Sequence, residues 1–350
     1  MDLLSITQQE QADRLEELGQ PRYRASQLCA WIYQRRAKAF DEMTDLPAGL
    51  RAQFAEQFTL RPLEVVTEIG STDTTRKFLF RLTDGQMIEA VLIPASPALY
   101  GERSDRRTAC ISSQVGCAFG CKFCASGLDG VKRNLTAGEI VAQFLALEEL
   151  SKEKINNVVF MGMGEPFANY ENLMRAIGIL NAPWGIGLGA RNMTVSTSGL
   201  VQRIRDFADQ PLQVRLAISL HAATDAVRTQ IMPINRKYPL PELLAACAHY
   251  CSRKNQRLTF EYILIRDLND TEEQAQALAS HARRLQAKVN LIPYNRVEGL
   301  EWERPAPIVQ ERFLKLLKAR GVAATLRREK GHDIAAACGQ LRLQTVGQIS

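Results

Sequence analysis

The sequence predicts an α/β protein: a full or partial (β/α) barrel, preceded by a small helical module and a short β segment. Three observations predict it. Strand and helix patterns alternate from about residue 107 onward, as parallel strands with crossover helices require. Five strand ends turn polar or glycine-rich, at residues 117–124, 162–165, 196–198, 219–221 and 295, where a barrel places its active-site groups. Before residue 95 the apolar residues repeat first at helical spacing and then with a period of two. The expected divisions are a helical module over 1–58, a short β-strand linker segment over 59–95, and a barrel core with a C-terminal tail over 96–350.

In the first module Thr7 and Glu10 form a capping box, Ala12, Leu15 and Leu18 share a face, and Gly19 stops the helix. A second helix over 24–36 turns Leu28, Trp31 and Ile32 inward. Pro47 opens a third, which carries Leu50 and Phe54. Arg22, Arg24, Arg35, Arg36 and Lys38 form a basic cluster; such a cluster is by default a solvated face, and it can also meet phosphates. EVVTEIG, RKFLFRLTDG and QMIEAVLIP then read as strands, with Asp84-Gly85 as a hairpin turn. Glu89 stands in the apolar run MIEAVLIP. Alternation alone puts it on the solvent face of its strand.

The alternating part follows. RTACISS leads into a cysteine-rich loop, and Thr136 with Glu139 caps the next helix. VVFMGMGEP is a buried strand ending in glycines, followed by a helix near 171–180. NMTVSTSG, VRLAISLH, LTFEYILI and KVNLIPYN are further strands, and a last helix over 307–320 precedes VAATLRR. The glycines of GIGLG, residues 185–189, precede a strand rather than follow one. They fail the dinucleotide-fingerprint context and read as a loop.

Composition narrows the class. The chain has 350 residues, 46% hydrophobic and 23% charged, ordinary for a globular protein. No stretch is long and apolar enough to span a membrane. The N-terminal run is too acidic and amphipathic for a signal peptide. Eight cysteines at mostly irregular spacing fit a reducing cytosol, so a cytoplasmic location is expected. The excess of 44 basic over 38 acidic residues permits a nucleic-acid partner without requiring one.

The chemistry concentrates in CAFGCKFC, where Cys117, Cys121 and Cys124 are spaced C-x3-C-x2-C. Structural zinc wants four closed ligands, and the next cysteine downstream is Cys247. A ferredoxin-type carrier would need a fourth clustered cysteine. Three thiolates instead suit a [4Fe-4S] cluster held by three irons, whose fourth iron is open to a ligand. An open iron of this kind can bind the amino and carboxylate groups of S-adenosylmethionine and deliver an electron to its sulfonium, generating a radical that abstracts hydrogen from inert carbon. Gly162-Met163-Gly164-Glu165 lets backbone approach such a ligand, and Glu165 can accept from its ammonium. Cys110 lies seven residues before the triplet, and Cys338 lies in DIAAACGQL. By default each is a buried small hydrophobe. Cys338 has the stronger case for reactivity, because a tail can fold back over a barrel mouth. Cys29, Cys247 and Cys251 sit on amphipathic helices and are assigned to packing.

With these residues assembled, the chain resembles the RlmN family of radical S-adenosylmethionine RNA methyltransferases from about residue 10 to its end. The strings RYRASQLCAWIY, MIEAVLIP, CISSQVGCAFGCKFC, RNLTAGEI, MGMGEP, STSG, AISLHA, MPINRKYP, NLIPYN and DIAAACGQL occur in family order. The resemblance implies a partial-barrel radical core, a [4Fe-4S] cluster, and methylation of adenosine C2 in 23S rRNA at the peptidyl-transferase centre and in tRNA next to the anticodon. C2 of adenine is an aromatic carbon with no lone pair, so displacement on a sulfonium methyl has no competent nucleophile there.

The implied mechanism gives Cys338 a methyl group from one S-adenosylmethionine. A radical from a second molecule then activates that methyl for addition to C2. Cys110 resolves the protein–RNA adduct by forming a disulfide with Cys338, which external reductant must reopen. By the same resemblance Glu89 becomes the proton acceptor, with Cys110 as the alternative for that step. Gly164, Glu165, Ser196, Ser219, Leu220, His221 and Asn295 become contacts to S-adenosylmethionine. The N-terminal helices become an RNA-binding module. Arg103, Arg106, Arg107, Lys132, Arg133, Arg327, Arg328 and Lys330 flank the motifs and read either as phosphate contacts or as a solvated charged surface. An electron donor such as flavodoxin or ferredoxin and a monomeric state are expected. The nearest alternative is the sister Cfr activity, methylation of C8 of the same rRNA adenosine.

Overall fold

The computed structural model describes residues 2–72, 74–94, 105–128, 130–297, 300–327 and 334. Cys338, Arg103, Arg328 and Lys330 lie outside the described residues.

The N-terminal helices form where caps and apolar spacing place them. Helix α1 (Gln8–Glu17) carries the full capping box and buries Ala12 and Leu15. Helix α2 (Arg24–Cys29) does not run on to residue 36 as one α-helix. It passes into a wider turn over Ala30–Gln34, in which the Arg35 N–H reaches the Ala30 carbonyl at 2.9 Å. Helix α3 (Ala48–Gln57) starts after Pro47 and buries Leu50 and Phe54.

The basic cluster of this module is largely taken up by ion pairs. Arg22 meets Asp13 and Glu16, and Arg35 meets Asp45. Arg36 and Lys38 reach Glu148 and Glu149 on helix α4 (Ala137–Ser151), which docks the module on the rest of the chain. Arg175 adds a second tie to Glu10 at 2.6 Å.

The strands are β1 (Leu63–Gly70), β2 (Arg76–Leu82), β3 (Met87–Ile93), β4 (Thr108–Cys110), β5 (Gln114–Gly116), β6 (Val131–Asn134), β7 (Asn157–Phe160), β8 (Met193–Thr197), β9 (Arg215–Ser219), β10 (Thr259–Leu264), β11 (Lys288–Pro293) and β12 (Ala324–Leu326). Ten of them form one sheet in the order β1-β2-β3-β4-β7-β8-β9-β10-β11-β12. From β4 to β12 neighbours are parallel. The crossover helices are α4, α5 (Tyr170–Asn181), α6 (Val201–Asp209), α7 (Asp225–Ile231), α8 (Leu240–Lys254), α9 (Glu272–Leu285) and α10 (Pro307–Ala319). Among the described residues β1 and β12 do not pair, so the barrel is partial.

Two features go beyond the sequence expectation. Within the β segment over 59–95, β3 pairs antiparallel with β4 and so extends the barrel sheet. And β5 with β6 forms a small separate hairpin that brackets the cysteine loop. The core between sheet and helices is dense with aromatic rings, among them the fully buried Phe78, Phe144, Phe160 and Phe260. Each such ring contributes about 1.5–3 kcal/mol of burial.

Candidate active site

Backbone contacts set the cysteine loop. The Cys117 N–H donates to the Gly130 carbonyl at 3.1 Å, and the Lys122 N–H donates to the Ile231 carbonyl at 2.9 Å. Gly116 has φ +75°, and a Cβ there would sit 2.0 Å from the Gly130 oxygen, so only glycine fits. Cys121 and Cys124 pack against an apolar shell that includes Phe123, Ile231 and Met232.

Burial pushes the Cys117 thiol up to about 12. Burial and the neighbouring thiolates push Cys121 well above the ordinary thiol range too. Three thiolates side by side in this shell therefore need a positive group among them. An iron–sulfur cluster meets that need, because each thiolate takes its own iron. Among the described residues no three His, Cys, Asp or Glu side chains close on a single metal ion, and a multi-iron cluster does not require them to.

The cysteines form one wall of an open cleft with about 820 Å³ of empty space, mouth included. The facing walls come from strand ends: Gly162, Gly164 and Glu165 after β7, Ser196 and Ser198 around the end of β8, and Ser219 and His221 around the end of β9. A Cβ on Gly164, at φ +99°, would lie 2.6 Å from the Gln114 Cβ, so this turn is closed to larger residues. The Glu165 carboxylate accepts from the Ser198 N–H at 2.7 Å, the Ser198 hydroxyl at 2.8 Å and the Phe167 N–H at 3.0 Å. It ties the β7 loop to the β8 end while still facing the cleft. Burial raises its pKa, and these hydrogen bonds oppose that shift. The Ser196 and Ser219 hydroxyls lie 3.3 Å apart.

His221 takes φ +56°, and its Nδ1 accepts from the Ile263 N–H at 3.1 Å, so the neutral ring carries its proton on Nε2. Burial first, then repulsion from Arg228, pushes this imidazole down to about 3. In the unfolded chain it protonates near 6.5. The unfolded state therefore binds the extra proton between those values, and stability falls as pH drops through that window. Thermal melts between pH 6.5 and 3 should accordingly show a steeper loss in the wild type than in His221→Asn, whose side chain tolerates this backbone region. Equal slopes would remove His221 as the source.

Leu220 and Asn295 are buried but stand off the cleft wall. The Leu220 N–H donates to the Glu261 carbonyl at 3.0 Å, and the Asn295 Oδ1 accepts from Arg304 at 3.0 Å. Two groups near the cleft escaped the sequence reading. Glu261 on β10 lines the cleft and accepts from Asn290 at 2.7 Å, and burial raises its pKa. Arg228, fully buried on α7, donates to the carbonyls of Leu220 at 3.1 Å and Ser198 at 2.5 Å, so it locks two of the strand ends together. Its signal was its spacing, three residues before the buried Ile231 on one helix.

The inner face of the sheet can be followed by register. Leu79 faces Glu89 and Lys77 faces Val91 across β2–β3; Val91 faces Cys110, and Cys110 faces Val159. Cross-strand partners share a face, so Lys77, Glu89 and Cys110 lie on one surface. Farther along, Val159 leads through Thr194 to the strand that carries Ser196, and then to Ser219, Glu261 and Asn290. Glu89 is therefore not on a solvent face: it is 1% exposed, because β3 is an internal strand covered on both sides. Its carboxylate pairs with the Lys77 ammonium at 3.1 Å. Its carbonyl accepts from the Ser112 hydroxyl at 2.6 Å, and that oxygen accepts from the Met163 N–H at 2.8 Å, which links β3 to the glycine turn. Ile334 packs against the cluster of Val91, Cys110 and Met163.

Of the candidate phosphate contacts, Arg107 pairs with Glu153, and Arg133 with Glu139 and Asp84, while Lys132 is exposed. The described cysteines form no disulfide with one another. No helix among the described residues is long and apolar enough to cross a membrane.

Comparison with known proteins agrees with this geometry. Residues 1–60 match the family described as "Ribosomal RNA large subunit methyltransferase N-terminal domain", and residues 111–279 match the "Radical SAM superfamily". The chain is 53% identical to a probable dual-specificity RNA methyltransferase RlmN 3 of Opitutus terrae, over 95% of this chain and 91% of that protein. It is 51% identical to a probable dual-specificity RNA methyltransferase RlmN of Akkermansia muciniphila, over 94% and 92% respectively. The crystal structure of a radical SAM methyltransferase from Sphaerobacter thermophilus superposes with a TM-score of 0.93 at 48% identity, covering 98% of this chain and 99% of that one.

Proposed function

The chain belongs to the RlmN family, and we propose that it methylates C2 of adenosine in 23S rRNA and in tRNA. It is a radical S-adenosylmethionine RNA methyltransferase that uses a [4Fe-4S] cluster. The observation that carries the C2 reading is the shared inner face. Glu89 and Cys110 lie on the same surface that runs on to the cleft of Cys117, Cys121, Cys124 and the glycine turn.

Cys117, Cys121 and Cys124 would hold the cluster. Gly164, Glu165, Ser196, Ser219, His221 and, through backbone or outer contacts, Leu220 and Asn295 would hold S-adenosylmethionine. Bound together, these groups supply the methyl group and a carbon-centred radical. The residues of the chain do the rest. Cys338 carries the methyl carbon on its sulfur and becomes joined through that carbon to C2. Glu89 takes the C2 proton, the C–H electron pair stays in the ring, and the adduct gives up its one surplus electron to the electron carrier that supplied the first. The Cys110 thiolate then attacks the Cys338 sulfur. The sulfur–carbon bond breaks towards carbon, a proton completes the methyl group, and a disulfide remains that external reductant must reopen. Ile334, four positions before Cys338 in the sequence, packs against the cluster that contains Cys110, which supports this pairing. Residues 1–58 act as the RNA-binding module, the target adenine is flipped into the barrel mouth, and a flavodoxin or ferredoxin of the cytoplasm supplies electrons to the monomer.

Mass spectrometry of rRNA and tRNA nucleosides from cells with and without the gene tests the assignment. 2-Methyladenosine should disappear from both RNAs on deletion. Loss of 8-methyladenosine instead would transfer the chain to the Cfr activity.

A further inference from the structure

The buried partner of Glu89 has no part in the family resemblance or in the mechanism above. Lys77 is 8% exposed, and its ammonium lies 3.1 Å from a Glu89 carboxylate oxygen. The two stand on adjacent antiparallel strands, and their side chains share the inner face with Cys110. A lysine there is costly as packing. Ion and chain are both withdrawn from water, and a buried charge is retained only where it is paired. The neighbouring positions on this face are apolar: Leu79, Val91 and Met163 are all buried. The strand keeps a cation where its surroundings favour a hydrocarbon.

We infer that Lys77 is the positioning residue of the proton-transfer step: it fixes the Glu89 carboxylate towards the barrel interior and supplies the countercharge that a buried base requires. This inference rests on the reading of Glu89 as proton acceptor. Among the described residues, one tie to its backbone and one to its side chain hold Glu89 in place. Ser112 grips its backbone carbonyl and, through the Met163 N–H, registers it against the glycine turn of the cofactor cleft. Lys77 grips its side chain. The first tie sets where the strand lies, and the second sets where the oxygen points. With Lys77 replaced by an apolar residue, the carboxylate loses this charged partner and the orientation that the 3.1 Å contact imposes on it.

The step that depends on Lys77 comes after cysteine methylation and after the adduct has formed, so its loss has a specific signature. In Lys77→Met, methylation of Cys338 and reductive cleavage of S-adenosylmethionine proceed at wild-type rates. Release of methylated RNA slows by about 10²-fold or more, the lower range of what a positioned base contributes. Protein covalently bound to RNA then accumulates on denaturing gels. With RNA deuterated at the target C2, a primary isotope effect on product release appears that the wild type does not show. Lys77→Arg, which keeps the cation, restores release. A role limited to packing would not generate an isotope effect.

Lys77→Gln, neutral and of similar length, is measured alongside in case the methionine variant does not fold. If neutral variants that fold release product at the wild-type rate with no isotope effect, the inference is overturned. Glu89→Gln separates the two levels. If that variant also works normally, the reading of Glu89 as base fails and Lys77 falls with it. If Glu89→Gln traps the adduct and neutral Lys77 variants do not, only the role of Lys77 is lost.

Discussion

Replacing Cys338 by alanine abolishes adenosine methylation while leaving the cluster in place and S-adenosylmethionine bound. In the proposed chemistry the methyl carbon reaches C2 only through the Cys338 sulfur, so no slower route to the product remains. The expected loss is to background, at least the 10⁴-fold span associated with removing an essential nucleophile. Intact-protein mass should show the wild type one methyl group heavier after incubation with S-adenosylmethionine, and the variant unchanged. Cys110→Ala behaves differently: it methylates Cys338, attacks RNA and then stalls, so protein–RNA adduct builds up. Methylated RNA from Cys338→Ala would sink the covalent mechanism, and a clean gel from Cys110→Ala would remove its resolving role.

Alanine at any one of Cys117, Cys121 or Cys124 should strip iron and acid-labile sulfide from the purified protein and end all radical chemistry. The fold should survive. The loop is held by backbone hydrogen bonds from Cys117 to Gly130 and from Lys122 to Ile231, none of which uses a sulfur. Removing a sulfur that packs against Phe123 and Met232 costs on the order of 1 kcal/mol. The measurements are metal analysis, electron paramagnetic resonance after reduction, and a thermal melt. Retention of a normal cluster signal in all three variants would contradict the ligand assignment.

Much of this was legible in the sequence, for reasons that can be named. Capping boxes are local, so Thr7–Glu10 and Thr136–Glu139 fixed two helix starts. Asp84-Gly85 fixed a hairpin, because glycine supplies the φ of +82° found there. The cysteine triplet and the glycine turn are also local, and both reached the cleft. What local pattern could not supply was coverage. Alternation assumes one wet face, and β3 has none; hence Glu89 read as exposed. The β5–β6 hairpin is too short and too irregular, with a register shift at Val115/Gly116, to show as strands. Lys77 was hidden for a different reason. Its meaning lies in its distance from Glu89, which exists only once the hairpin closes with Leu82 opposite Gln86; a two-residue Asp84-Gly85 turn implies a register one residue away, which puts Lys77 on the face opposite Glu89.

The continuity of the antiparallel β1–β3 ribbon with the parallel barrel bears on how such an enzyme can change. The iron-binding loop and the glycine turn belong to the parallel half, and the carboxylate with its lysine belongs to the ribbon. Two tasks, making a radical and disposing of a proton, are thus housed on separate stretches of chain, which the pairing of β3 with β4 joins into one sheet. Mutational drift on one side of that pairing can retune where the proton goes without touching how the radical is made.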